Sequence, residues 1–144
     1  MRRSSKILVL LIIVILLTAS CVVKNGNKYK DGEFAGISKS FYLRENFYGV
    51  TKITISEGKI TGVEFSIIDM DNKVFFDEKY ENRYKDIPEY VEQCRNEWKA
   101  INIYPNILLK KQKIDSVDAI TGATWAYNMF ESSLAEALKK ASRQ

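Results

Sequence analysis

The stretch of this chain best suited to chemistry is Val117-Asp118-Ala119-Ile120-Thr121-Gly122-Ala123-Thr124, where two threonine hydroxyls flank the two smallest residue types. Gly122 and Ala123 leave the backbone bare enough for a planar or phosphorylated ligand to approach closely. An apolar helical pattern begins directly afterwards, and the first turn of a helix directs N–H groups without intrahelical partners at any nearby anion. Thr121 is placed to cap that helix. Taken alone, the same residues also describe an ordinary small-residue turn ahead of a packing helix.

The remaining inventory narrows the chemistry. The 144 residues include no histidine, which removes imidazole bases, His-Asp triads and His-based metal sites. Zinc and serine hydrolases of the usual kind are thereby excluded. Asp69-Met70-Asp71-Asn72 has acidic spacing but lacks the glycine and distal glutamate of a calcium loop. It reads as an Asx-rich turn, so no metal ligand is assigned. Cys94 lies in a helical pattern with Val91, Arg95 and Trp98 on one stripe and reads as a satisfied, partly buried thiol. No residue is assigned a catalytic role.

The elements that must position this segment follow from periodicity. Ile53 and Ile55, then Val63, Phe65 and Ile67, alternate on either side of Ser56-Glu57-Gly58-Lys59, the pattern of a β-hairpin with one core face. Glu33 to Tyr42 reads as a further strand, broken at Arg44-Glu45-Asn46. Helices are expected over Phe75 to Tyr84 and Pro88 to Ala100, with Pro88 acceptable in a first turn. Ile101 to Leu109 reads as a short strand or a loop. Tyr127, Phe130, Leu134, Ala137, Leu138 and Ala141 recur at three and four, marking an amphipathic C-terminal helix. The expected class is α+β, an antiparallel sheet packed against helices.

The beginning of the chain reads as an address. Arg2, Arg3 and Lys6 precede eleven unbroken apolar residues, Ile7 to Leu17, a signal-peptide length well below the roughly 20 residues of a membrane span. Leu17-Thr18-Ala19-Ser20-Cys21 resembles the bacterial lipobox, with Thr18 where leucine is usual. The expected organisation is a lipoprotein signal peptide over residues 1–20, lipidation at Cys21, a tether over 21–28 and one domain over 29–144. A retained signal anchor is the alternative, and both place the domain on the outer face of the cytoplasmic membrane. The leader contributes three of the 22 basic residues and none of the 18 acidic ones, leaving a net +1. That balance, without a basic stripe, gives no support for a nucleic-acid partner.

Asp118-Ala119-Ile120-Thr121-Gly122-Ala123-Thr124 resembles the flavinylation motif of the FMN-binding domain family, which includes a subunit of sodium-pumping NADH:quinone reductase and many small lipoproteins. Tyr29-Lys30-Asp31-Gly32-Glu33-Phe34-Ala35-Gly36 is similar to that family's opening, and Gly58-Lys59-Ile60 to its hairpin. The sequence departs from the family at Arg44 to Tyr48, after Ile68 and at Ala126; the first two bear on contacts to the flavin ring. The resemblance implies FMN joined to Thr124 through a phosphoester, with Asp118, Thr121, Gly122 and Ala123 around it. The aromatics Trp125, Tyr127 and Tyr104 either stack on the ring or fill the core; the two readings are even for Trp125, and core packing is favoured for Tyr127. A threonine hydroxyl is a weak nucleophile, and the resemblance implies a separate FAD:protein FMN transferase as partner, with magnesium in that enzyme only. The implied role is to carry electrons between a membrane donor and an extracytoplasmic acceptor, more a carrier module than a free-standing enzyme. A flavin reductase acting on a small acceptor, or a structural or binding lipoprotein without flavin, are the alternatives.

Overall fold

The computed structural model describes residues 28–40 and 45–143. The leader, Cys21 and all but the last residue of the tether lie outside the described residues.

Alternating side chains build three long antiparallel strands, Gly32–Lys39 (β1), Phe47–Ser56 (β2) and Lys59–Asp69 (β3), and the two-residue Val74–Phe75 (β4) completes a sheet of order β1-β2-β3-β4. The expected hairpin is present. Glu57 and Gly58 both take left-handed φ, 53° and 74°, as a two-residue turn matched to the strand twist requires. Asp31 clamps this turn by accepting the Gly58 N–H at 3.0 Å; that N–H and the one of Glu57 hold its carboxyl below the ordinary range. A register shift at Thr54/Ile55 sets Ile55 opposite Ile60. Thr51, Ile53, Ile55, Ile60, Phe65 and Ile67 are buried on one face, while Lys52, Thr54 and Glu64 are exposed on the other.

Two helices cover the buried face. Pro88–Lys111 (α1) lies against β3, and Thr124–Ala141 (α2) lies against β1, β2 and α1. The apolar stripe of α2 is as expected, extended by Ala126, Met129 and Ser133. Its approach to the sheet is close enough that a Cβ on Gly36 would stand 1.9 Å from the Ser133 carbonyl oxygen. Glu136 of α2 accepts the Ile37 N–H and Lys140 donates to the Ala35 carbonyl, so the outer edge of β1 is covered instead of open to another strand.

Two expectations need correction. Phe75 to Tyr84 is not one helix: Phe75 ends β4, and only Tyr80–Tyr84 is helical, as a 3-10 turn. The Asp69 carboxylate causes this reversal by accepting the N–H groups of Asp71 and Asn72 and the Tyr80 hydroxyl. The Asx-rich turn is thus confirmed in position and chemistry. Nor is Ile101 to Leu109 a strand or loop. Helix α1 runs through it, past Pro105, because Cys94, Glu97, Ala100, Ile101, Tyr104 and Leu108 continue one buried stripe. Arg95 and Trp98, assigned above to the stripe, lie at its rim, where both donate to Glu81. Gln112, at φ 61°, ends the helix and bonds the Ile60 N–H and carbonyl with its side chain.

Candidate functional site

The segment singled out by its residue types sits at the N-terminal end of α2, held there by α1. The Tyr104 side chain is fully buried and stacks on Phe130. Its hydroxyl accepts the Ile120 N–H and donates to the Ala123 carbonyl, stapling both ends of the turn Ile120-Thr121-Gly122-Ala123. The Ala123 N–H bonds back to the Ile120 carbonyl at 2.9 Å, and Gly122 takes φ 79°. This is the positive φ that the third position of a type II turn needs, which favours glycine. Asn96 of α1 lies directly beneath Gly122.

Thr121 does not cap the helix. The turn delays the helix start, so the N-cap residue is Ala123, which has no side-chain acceptor. Glu97 of α1 takes over: its Oε2 accepts the Ala126 N–H at 2.8 Å, and the Trp125 N–H also stabilises its charge. The expected anion position at this helix end is therefore taken by a buried carboxylate of the chain itself. Thr124 opens the helix with its side chain exposed, between buried Ala123 and Ala126. Asp118 is exposed; burial raises the Tyr127 hydroxyl, and the charges of Glu131, Asp118 and Asp115 add to that rise.

Trp125, the residue after Thr124, lines a cleft of about 190 Å³ together with Glu45, Phe47, Phe76, Tyr90, Gln93, Cys94 and Glu97; Thr124 itself is not among the lining residues. Trp125 is one wall, packed edge-on against Phe47 at 5.2 Å and Phe76 at 5.1 Å. Its indole N–H donates to Ser40, whose hydroxyl donates to Glu45. Of the three aromatic neighbours, only Trp125 lines the cleft; Tyr104 is sealed in the core and Tyr127 packs on it. Burial pushes the Cys94 thiol up to about 11, which keeps it protonated and unreactive. Glu45, Phe47 and Phe76 come from the two segments where the sequence departs from its family's pattern.

Glu97 was missed by sequence reasoning. Its signal was an acid on an apolar stripe, three residues after Cys94 and seven before Tyr104. Burial raises its carboxyl above the ordinary 4.5, and the N–H groups of Ala126 and Trp125 offset part of that rise. A folded value above the unfolded one means that the folded state binds the proton more tightly, so stability falls as pH rises through that interval. The unfolding free energy of wild type relative to Glu97→Gln is expected to decrease as pH rises above the carboxyl's ordinary 4.5, measured by urea denaturation. A difference independent of pH would refute this.

A sequence model of the FMN-binding domain family matches residues 49–139. Among solved structures, the crystal structure of the CPE2226 protein from Clostridium perfringens shares the fold, with a TM-score of 0.61 and 21% identity over 78% of this chain and 88% of that one. No curated protein matches significantly in sequence.

Proposed function

The chain belongs to the FMN-binding domain family, and from that premise we propose that it is a membrane-anchored extracytoplasmic electron carrier whose FMN is joined by a phosphoester to Thr124. The observation that carries this reading is the exposed Thr124 side chain at the start of α2, with the next residue, Trp125, forming a wall of the aromatic cleft. Phe47, Phe76, Tyr90 and Trp125 suit a planar aromatic ring, and Gln93 and Glu45 offer polar contacts. FMN, when bound, supplies one- and two-electron redox chemistry, while the protein sets its place and surroundings.

The attachment balances simply. Thr124 Oγ1 forms a bond to the FMN phosphorus of FAD, the bond from that phosphorus to AMP breaks, and the hydroxyl proton passes to the transferase. Without histidine and with the nearby N–H groups held by Glu97, the chain has no evident base of its own, consistent with a partner enzyme that brings magnesium. Asp118 is proposed to serve that partner in recognition or activation.

The cleft also favours a carrier over a reductase. At about 190 Å³ it is smaller than the roughly 300–1,000 Å³ of a site that encloses a small ligand. It suits part of a flavin ring with an edge left open to partner proteins. The chain enters the domain at the opposite pole: Tyr29 bridges Ser142, and the Lys30 N–H bonds to the Ala141 carbonyl. The 18 residues of α2 separate that pole from Thr124 by about 26 Å. A lipid at Cys21 would thus leave the cleft directed away from its point of attachment.

The test is the intact mass of the denatured protein, made with its leader in a bacterium with and without FAD:protein FMN transferase. One FMN residue on a chain beginning at lipidated Cys21 is expected, only with the transferase. A lipidated chain without the FMN mass in its presence would leave the non-flavinylated lipoprotein as the correct reading.

A further inference from the structure

An antiparallel sheet covered on one side alternates apolar inward residues with polar outward ones. The outer face of this sheet follows that rule over only half its length. Towards the end where the chain enters, the outward residues Glu33, Lys52, Thr54 and Glu64 are polar and exposed. Towards the other end they are Ile37 of β1, Tyr48 and Val50 of β2, Ile68 of β3 and Phe75 of β4. Strand pairing sets these side by side: Tyr48 opposes Ile68 and Ile68 opposes Phe75, while Ile37 opposes Val50 in the adjoining row. Phe75 is 59% exposed and Ile37 55%. Among the described residues no element covers this patch, since both helices lie on the other face. A contiguous exposed apolar patch of this kind marks a contact surface.

We infer that this half of the outer sheet face rests on the anionic membrane surface to which the chain is anchored, an inference that depends on the reading of Cys21 as the lipid attachment. The seven residues from Val22 to Lys28 extend to about 25 Å at most, and they lead directly to the start of β1. Ile37 lies about 17 Å further along that strand, so an anchored domain can lay its strands along the bilayer. Lys39, opposite Tyr48, and Lys73, in the turn before β4, are exposed at the border of the patch. Behind it, Lys52 and Glu64 oppose each other across the strands. Aliphatic and aromatic side chains bordered by lysines suit the headgroup boundary of an anionic leaflet. The lipid holds the chain, and the face sets its orientation. Phe47, which lines the cleft, precedes Tyr48 and points to the opposite side of the sheet. Docking therefore brings the cleft close over the membrane, displaced along it from the lipid and near a membrane donor.

The experiment uses the mature chain, extracted from a bacterial membrane and reconstituted in vesicles of phosphatidylethanolamine and phosphatidylglycerol that carry nitroxide-labelled acyl chains. Cys94 is buried and lipidation consumes the Cys21 thiol, so one introduced cysteine alone takes a red-emitting, thiol-reactive fluorophore. The variants are Ile37→Cys, Phe75→Cys and, as control, Ile103→Cys, which is 43% exposed on α1. An interfacial face lies about 5–10 Å into the headgroup and acyl boundary, so emission at the first two should be quenched about threefold more than at the third. Adding Lys39→Glu and Lys73→Glu to Phe75→Cys is expected to reduce that quenching by about half; an unchanged value would overturn the role of the lysines. Equal quenching at all three positions, or none at the first two, would overturn the inference while the anchor stands. Fluorophores at Ile37→Cys and Phe75→Cys shielded from iodide in solution but unquenched by the lipid would assign the face to a protein instead, and overturn it too. An intact mass showing no lipid on Cys21 would overturn the anchor reading itself.

Discussion

Gly36→Ala is expected to cost the domain about 3 kcal/mol or more, a large part of the 5–15 kcal/mol that holds a typical domain together. The added Cβ would stand 1.9 Å from the Ser133 carbonyl oxygen and 2.5 Å from the Ala137 nitrogen. Both are backbone atoms in the middle of α2, so no rotamer change relieves the clash and the whole helix must lift from β1. Lifting it strains the Thr51–Ser133 hydroxyl contact, at 2.6 Å, and the bond from Ser38 to the Met129 carbonyl. Gly49→Ala provides the comparison. Its Cβ would meet the Ser38 hydroxyl at 3.0 Å and Met129 at 3.1 Å, contacts that shifts of a few tenths of an ångström can absorb. Urea midpoints should fall far more for Gly36→Ala than for Gly49→Ala; equal losses would show that the tight seating of α2 on β1 does not matter.

Thr124→Ala is expected to abolish the flavin adduct completely and leave the fold intact. Thr124 is exposed at the first position of α2, and alanine is a better helix former, so the stability change should lie within about 0.5 kcal/mol. The helix start does not depend on the threonine, since Glu97 supplies the acceptor for Ala126. Thr124→Ser keeps a hydroxyl at the same place and should accept flavin. Asp118→Asn should slow incorporation if Asp118 serves the transferase, and an unchanged rate would reject that role. Mass spectrometry of denatured protein after timed exposure to transferase and FAD reads all three. Flavin on Thr124→Ala would move the acceptor elsewhere.

Much of this was legible in residue order because the physics is local. The alternation of Ile53 and Ile55 with Val63, Phe65 and Ile67 specifies a hairpin with one dry face, and Glu57-Gly58 specifies its turn. The stripe from Tyr127 to Ala141 specifies the helix that covers that face. Thr121-Gly122-Ala123-Thr124 marks the one place where a hydroxyl stands beside bare backbone at a helix start, and its resemblance supplies the family and the expected cofactor.

Tertiary structure decided what local patterns cannot. Phe75 became a strand residue because the reversal at Asp69 pairs it with Ile68 of β3, a pairing that helical periodicity does not show. The chain from Ile101 to Leu109 became helix because Tyr104 and Leu108 find burial on the stripe that Cys94 begins, a gain that outweighs the N–H missing at Pro105. Most of all, nothing in Thr121 to Thr124 reveals that its helix is capped by Glu97, 29 residues from the Ala126 N–H it accepts. A carboxylate at that distance along the chain reaches a helix end only when two helices pack, and the packing of α2 on the sheet brings Trp125 to Phe47 and Phe76. Residue types therefore determined which hydroxyl is proposed to carry the flavin; the packing of both helices on the sheet determined the cleft that Trp125 lines.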